Sequence, residues 1–127
     1  MKIESFEIGC EKLGLDPITC LPDLSRMPAK LQPALLATAK MYIITEAANE
    51  GKPFDWDSED EQKYYPWFDM EVWASNPTGF RFNVVGYTYT GTYTSLGSRL
   101  CFFTREDAAY HGQQHEAIYR DMMVDPK

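Results

Sequence analysis

The sequence predicts an α+β domain: an antiparallel sheet of three or four strands packed against a long central helix, with a short amino-terminal helix and a carboxy-terminal helix. Twelve of the 18 aromatic residues fall between Tyr64 and Phe103, in the runs KYYPWFDMEVW, GFRFNVV, GYTYTGTYT and RLCFF. Period-two alternation of aromatic and β-branched residues sends successive side chains to opposite faces of a pleated surface and so specifies strands. Upstream, residues 31 to 49 are apolar at helical spacing over five turns. Strands gathered in one block, instead of alternating with helices, favour an antiparallel sheet over a doubly wound nucleotide-binding fold.

Residues 3 to 14 form the first predicted helix, with Ile3, Phe6 and Cys10 or Leu13 on one side and Gly14 as its stop. Pro17, Pro22 and Pro28 make the following segment a connector, because prolines at that density interrupt any regular element. In the helix from Leu31 to Asn49, Pro33 is tolerated because it falls in the first turn. Thr38, Thr45, Glu46 and Asn49 form a narrow polar stripe, and apolar residues occupy most of the remaining circumference. Asn49 and Gly51 end this helix, and Pro53 prevents its resumption.

The acidic loop DWDSEDEQ leads into a strand near Lys63 to Trp73, in which Pro66 implies an edge position or a bulge. NPTG at 76 to 79 is a turn signal, so Phe80 to Val85 returns antiparallel. The run GYTYTGTYTSLGS extends the hairpin or forms an ordered loop, and Arg99 to Phe103 supplies a last strand. Thr104, with Asp107 three positions on, caps the final helix. The expected core joins Leu35, Ala39, Ile43 and Ala47 of the long helix to Trp67, Phe80, Phe82 and Phe102 of the sheet.

A chain of 127 residues matches one domain over 1–127, large enough to bury a core without staples. Hydrophobic residues at 44% and charged residues at 24% exclude wholesale disorder. The net charge of −7 opposes binding to double-stranded nucleic acid and to anionic membranes. No apolar run is long enough to span a bilayer, and MKIESFEIGCEKLG lacks the continuous apolar stretch of a signal peptide. Three cysteines, Cys10, Cys20 and Cys101, are odd in number, far apart and without a CxxC pair, which points to a reduced, cytoplasmic setting.

The stretches NEGKPFDWD, KYYPWFDM, GFRF and GSRLCF, with the closing AAYHGQQHEAIYRDMM, resemble a group of small proteins of gut Bacteroidetes genomes and of the phages and prophages of those hosts. The likeness covers roughly residues 31 to 124. That family carries no assigned activity, so the resemblance implies a phage-type source and no particular chemistry.

Motifs that carry chemistry are sparse. His111 and His115, spaced i, i+4, could supply two zinc ligands from one helix face. Gly112 and Gln114 stand where the catalytic HExxH and HxxEH patterns need glutamate, however, so packed histidines and no metal or other cofactor are expected. Counting an EF-hand from Asp55 places Asp60 at the required glycine and Pro66 at the bidentate glutamate, which leaves a solvated acidic loop. No GxSxG elbow, Walker loop or GxGxxG turn occurs, and no catalytic residue is nominated.

The most suggestive surface comprises Tyr87, Tyr89 and Tyr93 with the interleaved threonines, beside Arg81 and Arg99. Tyrosines on one face would stack a sugar or an unpaired base, whereas a purely structural role would have them cover the sheet. The leading expectation is therefore a non-catalytic accessory protein acting through a protein partner or as a homodimer. On that expectation apolar helix surface is left for a partner, and a charge at Ala37 or Met41 should disrupt it. Alternatives are a module that uses the Tyr/Thr surface to bind a carbohydrate or nucleotide base, and an acidic mimic of nucleic acid.

Overall fold

The computed structural model describes residues 1–72, 76–87, 94 and 96–125. Helix α1 (Phe6–Leu13) precedes a short 3₁₀ turn (Ala29–Leu31) that runs directly into helix α2 (Gln32–Ala48). Strands β1 (Tyr64–Asp69) and β2 (Arg81–Tyr87) follow, then a second 3₁₀ turn (Ser98–Leu100) and helices α3 (Arg105–Gln114) and α4 (Glu116–Met123). The α+β class is as expected. No helix of the described residues is long and apolar enough to cross a membrane.

Local chemistry sets the ends of these elements. Ser5 Oγ accepts from the Ile8 N–H at the start of α1. At its end Gly14 adopts φ 69°, a left-handed conformation that reverses the chain while its N–H satisfies helix carbonyls. Thr104 caps α3 by accepting from the Asp107 N–H at 3.1 Å. The predicted last helix divides at His115 (φ −110°, ψ 27°) into α3 and α4. The division lets α3 lie against both strands while α4 packs on α2.

Within α2, Ala37, Met41, Ile44, Thr45 and Ala48 form the buried stripe, and the principal neighbours of the helix are α1 and α4. The expected core is therefore corrected in phase and in partner. Ala47, Phe80 and Phe102 are buried as expected, and Ala39, Ile43 and Phe82 are half-buried. Leu35 and Trp67 are exposed, while Ala37 and Met41, assigned above to a free face, lie inside.

Strands β1 and β2 pair antiparallel, Tyr64 opposite Tyr87 and Pro66 opposite Val85, with an irregularity between Trp67 and Phe68 that matches the bulge implied by Pro66. Among the described residues the sheet has two strands instead of three or four. The expected last strand reduces to one bridge, in which Phe102 and Tyr64 exchange main-chain hydrogen bonds of 2.7 and 3.0 Å. Two features end its pairing there. Residues 98 to 100 coil into the 3₁₀ turn, and the Cys101 carbonyl accepts from Asn49 Nδ2 at 2.8 Å, where a strand neighbour would otherwise bind. Trp73, in the expected first strand, lies outside the described residues.

The hairpin approaches α3 closely because position 112 is glycine. A Cβ there would meet Pro66 Cβ at 2.6 Å and Phe82 Cδ2 at 2.7 Å. Beneath it, Phe68 stacks on Phe80 with ring centroids 4.6 Å apart and contacts Tyr119 of α4 at 4.7 Å.

Candidate functional site: a cleft at the end of helix α2

The polar stripe of α2 survives folding as one wall of a cleft. Tyr42, Thr45, Glu46 and Asn49 are spaced i, i+3, i+4 and i+7, so they share a helix face. After the helix stops, residues 51 to 54 turn across its end, and residues 96 to 99 close the opposite side. The half-open cleft has a volume of about 510 Å³. The two loops are tied together, since Trp56 Nε1 donates to Ser98 Oγ at 2.5 Å. Phe54, buried, stacks on Phe103 at 4.1 Å and stiffens the wall it contributes.

Two groups of this cleft stand out chemically. Thr45 is 1% exposed and Asn49 7% exposed, and among the described residues neither Thr45 Oγ1 nor Asn49 Oδ1 has a hydrogen-bond partner. The orientation of the Asn49 amide is fixed, because its Nδ2 donates to a carbonyl that can only accept. Oδ1 is therefore a buried acceptor without a partner among the described residues. Leaving such a buried group unpaired costs about 1–3 kcal/mol. Around the rim stand Glu46, exposed Arg99, and Lys52, which forms a loose pair with Glu50 at 3.6 Å.

The acidic loop adjoining the cleft carries its own cation. The side chain of Lys63 is fully buried, and its Nζ donates to the main-chain oxygens of Asp55 (2.7 Å) and Glu61 (2.8 Å). The Glu61 carboxylate lies 3.8 Å away and the Trp56 ring centre 4.8 Å away. Carbonyl oxygens and an aromatic face thus wrap the ammonium, while Asp55, Asp57, Glu59 and Asp60 are exposed, as expected of a solvated loop. Close by, burial pushes the Cys101 thiol up to about 11, with the charge of Lys63 opposing the shift.

His111 and His115 instead hold the start of the chain. His111 Nε2 accepts from the Ile3 N–H at 3.0 Å, so Nδ1 carries the proton and donates to the Asp107 carbonyl at 2.6 Å. His115 Nε2 donates to the Ile3 carbonyl at 2.7 Å, and Gln114 Nε2 donates to the Glu4 carbonyl at 3.0 Å. The two imidazoles, stacked at 5.7 Å, satisfy both main-chain groups of one residue in place of a neighbouring strand. Burial lowers the pKa of His111 to about 4 and lowers that of His115. Both nitrogens of His111 are occupied, and among the described residues no group of three or more His, Cys, Asp or Glu could hold a metal ion. Elemental analysis of tag-free protein should find no stoichiometric zinc; one zinc per chain, lost in His111→Ala, would contradict this arrangement.

Of the ligand-binding residues nominated from sequence, Arg99 is on the cleft rim. Arg81 and Tyr87 sit at opposite ends of β2, about 20 Å apart for a seven-residue strand. Arg81 faces Asp69 across the ladder, and Tyr87 faces Tyr64 with the Arg105 guanidinium over both rings at 5.5 and 5.4 Å. Tyr89 and Tyr93 lie outside the described residues. Exposed aromatic surface occurs instead on the outer hairpin face, where Trp67 is 55% exposed, pairs with exposed Val84 and stacks on Tyr65. Thr45 and Asn49 were not nominated from sequence, although the polar stripe on an otherwise apolar helix was their signal.

Comparison of the chain with protein-family models, with curated proteins and with solved structures finds no match in any of the three.

Proposed function

We propose that the protein is a non-catalytic binding module whose ligand is a small polar molecule seated in the cleft at the end of α2. The observation that carries this reading is the pair of buried atoms Thr45 Oγ1 and Asn49 Oδ1, which have no partner among the described residues. Asn49 Oδ1 calls for a hydroxyl or amine donor, and Thr45 Oγ1 can donate or accept. Arg99 and Lys52 on the rim suit an anionic group on the same molecule, and Tyr42 and Phe54 offer it apolar contact. The two atoms that lack partners belong to a neutral amide and a hydroxyl, groups suited to hydrogen-bonding a ligand, and on that ground binding is favoured over catalysis. Hydroxy acids, amino acids and sugar phosphates have the required combination of groups.

Two variants test this. Thr45→Val keeps the shape of the side chain and removes an unpaired buried hydroxyl, so it should stabilise the free protein by about 1 kcal/mol in denaturant melts. In a thermal-shift panel of those three compound classes, both Thr45→Val and Arg99→Ala should weaken the responding compound at least roughly tenfold, the loss of one good polar contact. A destabilised Thr45→Val, or a response untouched by both substitutions, would place the ligand elsewhere.

A second reading has its own support. The open hairpin face of Tyr65, Trp67 and Val84 and the exposed Leu31, Leu35 and Tyr42 favour contact with a protein partner or a second copy. An accessory role in a phage or prophage, implied by the resemblance in sequence, fits either reading. Concentration-dependent association lost in Trp67→Asp, with no response to the compound panel, would select this second reading over the first.

A further inference from the structure

Cysteines ten positions apart in sequence meet in space. Gly14 reverses the chain after α1, with the Leu15 N–H donating back to the Cys10 carbonyl at 2.8 Å. Asp16 then organises a tight turn around Pro17: its carboxylate accepts from the Ile18 and Thr19 N–H groups, and its carbonyl accepts from the Cys20 N–H at 3.0 Å. The turn carries Cys20 back against α1, where its Sγ lies 3.7 Å from Cys10 Sγ. Both thiols are free; Cys10 is fully buried and Cys20 partly exposed.

We propose that Cys10 and Cys20 form a reversible dithiol/disulfide couple that fastens α1 to the turn following it. The co-reactant is a small disulfide such as oxidised glutathione. The accessible Cys20 thiolate attacks one sulfur of that disulfide, forms a mixed disulfide and releases one glutathione thiolate, which takes up a proton. Cys10, as thiolate, then attacks Cys20 Sγ and expels the second glutathione, so that two protein thiols are oxidised and one small disulfide is reduced to two thiols. Burial, with the hydrogen bond to Cys20 adding to it, pushes the Cys10 thiol up to about 11. The closing step should therefore accelerate about tenfold per pH unit near neutrality, in proportion to the thiolate fraction. Cys101, fully buried in the core, stays reduced and serves as an internal control.

The test incubates the full chain with oxidised glutathione, unfolds it, alkylates the remaining thiols and maps the product by peptide mass. One alkylated thiol, on Cys101, and a Cys10–Cys20 peptide lighter by two hydrogens are expected. Closing a loop of this size should also raise the melting temperature by about 5–10 °C, reversed by dithiothreitol. Cys10→Ser should stop at a glutathione adduct on Cys20, and Cys101→Ser should close as the native chain does. Three alkylated thiols, a stable adduct on Cys20 of the native chain, or a disulfide that includes Cys101 would each overturn the proposal.

Discussion

Replacing Phe102 with alanine is expected to cost about 3–5 kcal/mol, the range for a large aromatic removed from a closed core. The residue is fully buried, and its ring lies parallel to that of His111, with centroids 4.8 Å apart. Its main chain carries the bridge to Tyr64, and the preceding carbonyl is held by Asn49. Because the surrounding groups are pinned by these hydrogen bonds, the site cannot collapse readily into the vacated volume. Half-buried Phe82 should cost less, and Val84→Ala, 51% exposed, should stay within about 0.5 kcal/mol. Denaturant melts of the three variants check the order; a Phe102→Ala loss below about 1 kcal/mol would contradict the assigned core.

Acidification should unfold the protein earlier than its exposed carboxylates alone would. The pKa of His111 in the folded chain, about 4, lies below the ordinary value of 6.5, so folding favours the neutral ring. The unfolded chain binds the extra proton between those two values, and stability therefore falls as pH drops from about 6.5 to about 4, then levels off for this group. Full neutralisation of a difference of this size corresponds to on the order of 3 kcal/mol, with about 2 kcal/mol lost by pH 5. His115, lowered by the same burial, acts in the same direction. The groups facing His111 are the Asp107 carbonyl and carboxylate, the His115 ring, the Met1 nitrogen and the Tyr110 ring, edge-on at 5.0 Å, and the Ile3 N–H depends on its unprotonated Nε2. A protonated His111 would set a second donor against that N–H. Urea midpoints between pH 7 and pH 4 measure the effect, and a flat profile down to pH 5 would contradict a buried, neutral His111 in the folded chain.

Much of the local structure was legible because short-range chemistry decides it. The expected bounds of the long helix, Leu31 to Asn49, differ from the observed Gln32–Ala48 by one residue at each end. The Thr104 cap, the stop at Gly14 and the antiparallel return after NPTG follow equally from nearby side chains and allowed φ. The phase of α2 was not legible, since a helix apolar on most of its circumference does not announce which stripe faces α1 and α4. Nor was the loss of the last strand, which depends on Asn49 reaching the Cys101 carbonyl 52 residues away. Both histidines are buried, and their partner is the main chain of Ile3, more than a hundred residues distant. Thr45 and Asn49 were visible as polar residues on an apolar helix. That they lack partners among the described residues is set by tertiary packing, which the sequence pattern does not reveal.

Amide chemical-shift mapping of the isotope-labelled protein against hydroxy acids, amino acids and sugar phosphates tests the cleft most directly. Binding is expected to shift the amides of Thr45, Asn49, Gly51, Gly97 and Ser98 together, in one saturable process, and to leave Tyr65, Trp67 and Val84 unmoved. Shifts confined to the outer hairpin face, or no saturable shift with any of these compounds at millimolar concentration, would contradict a ligand seated at the end of α2.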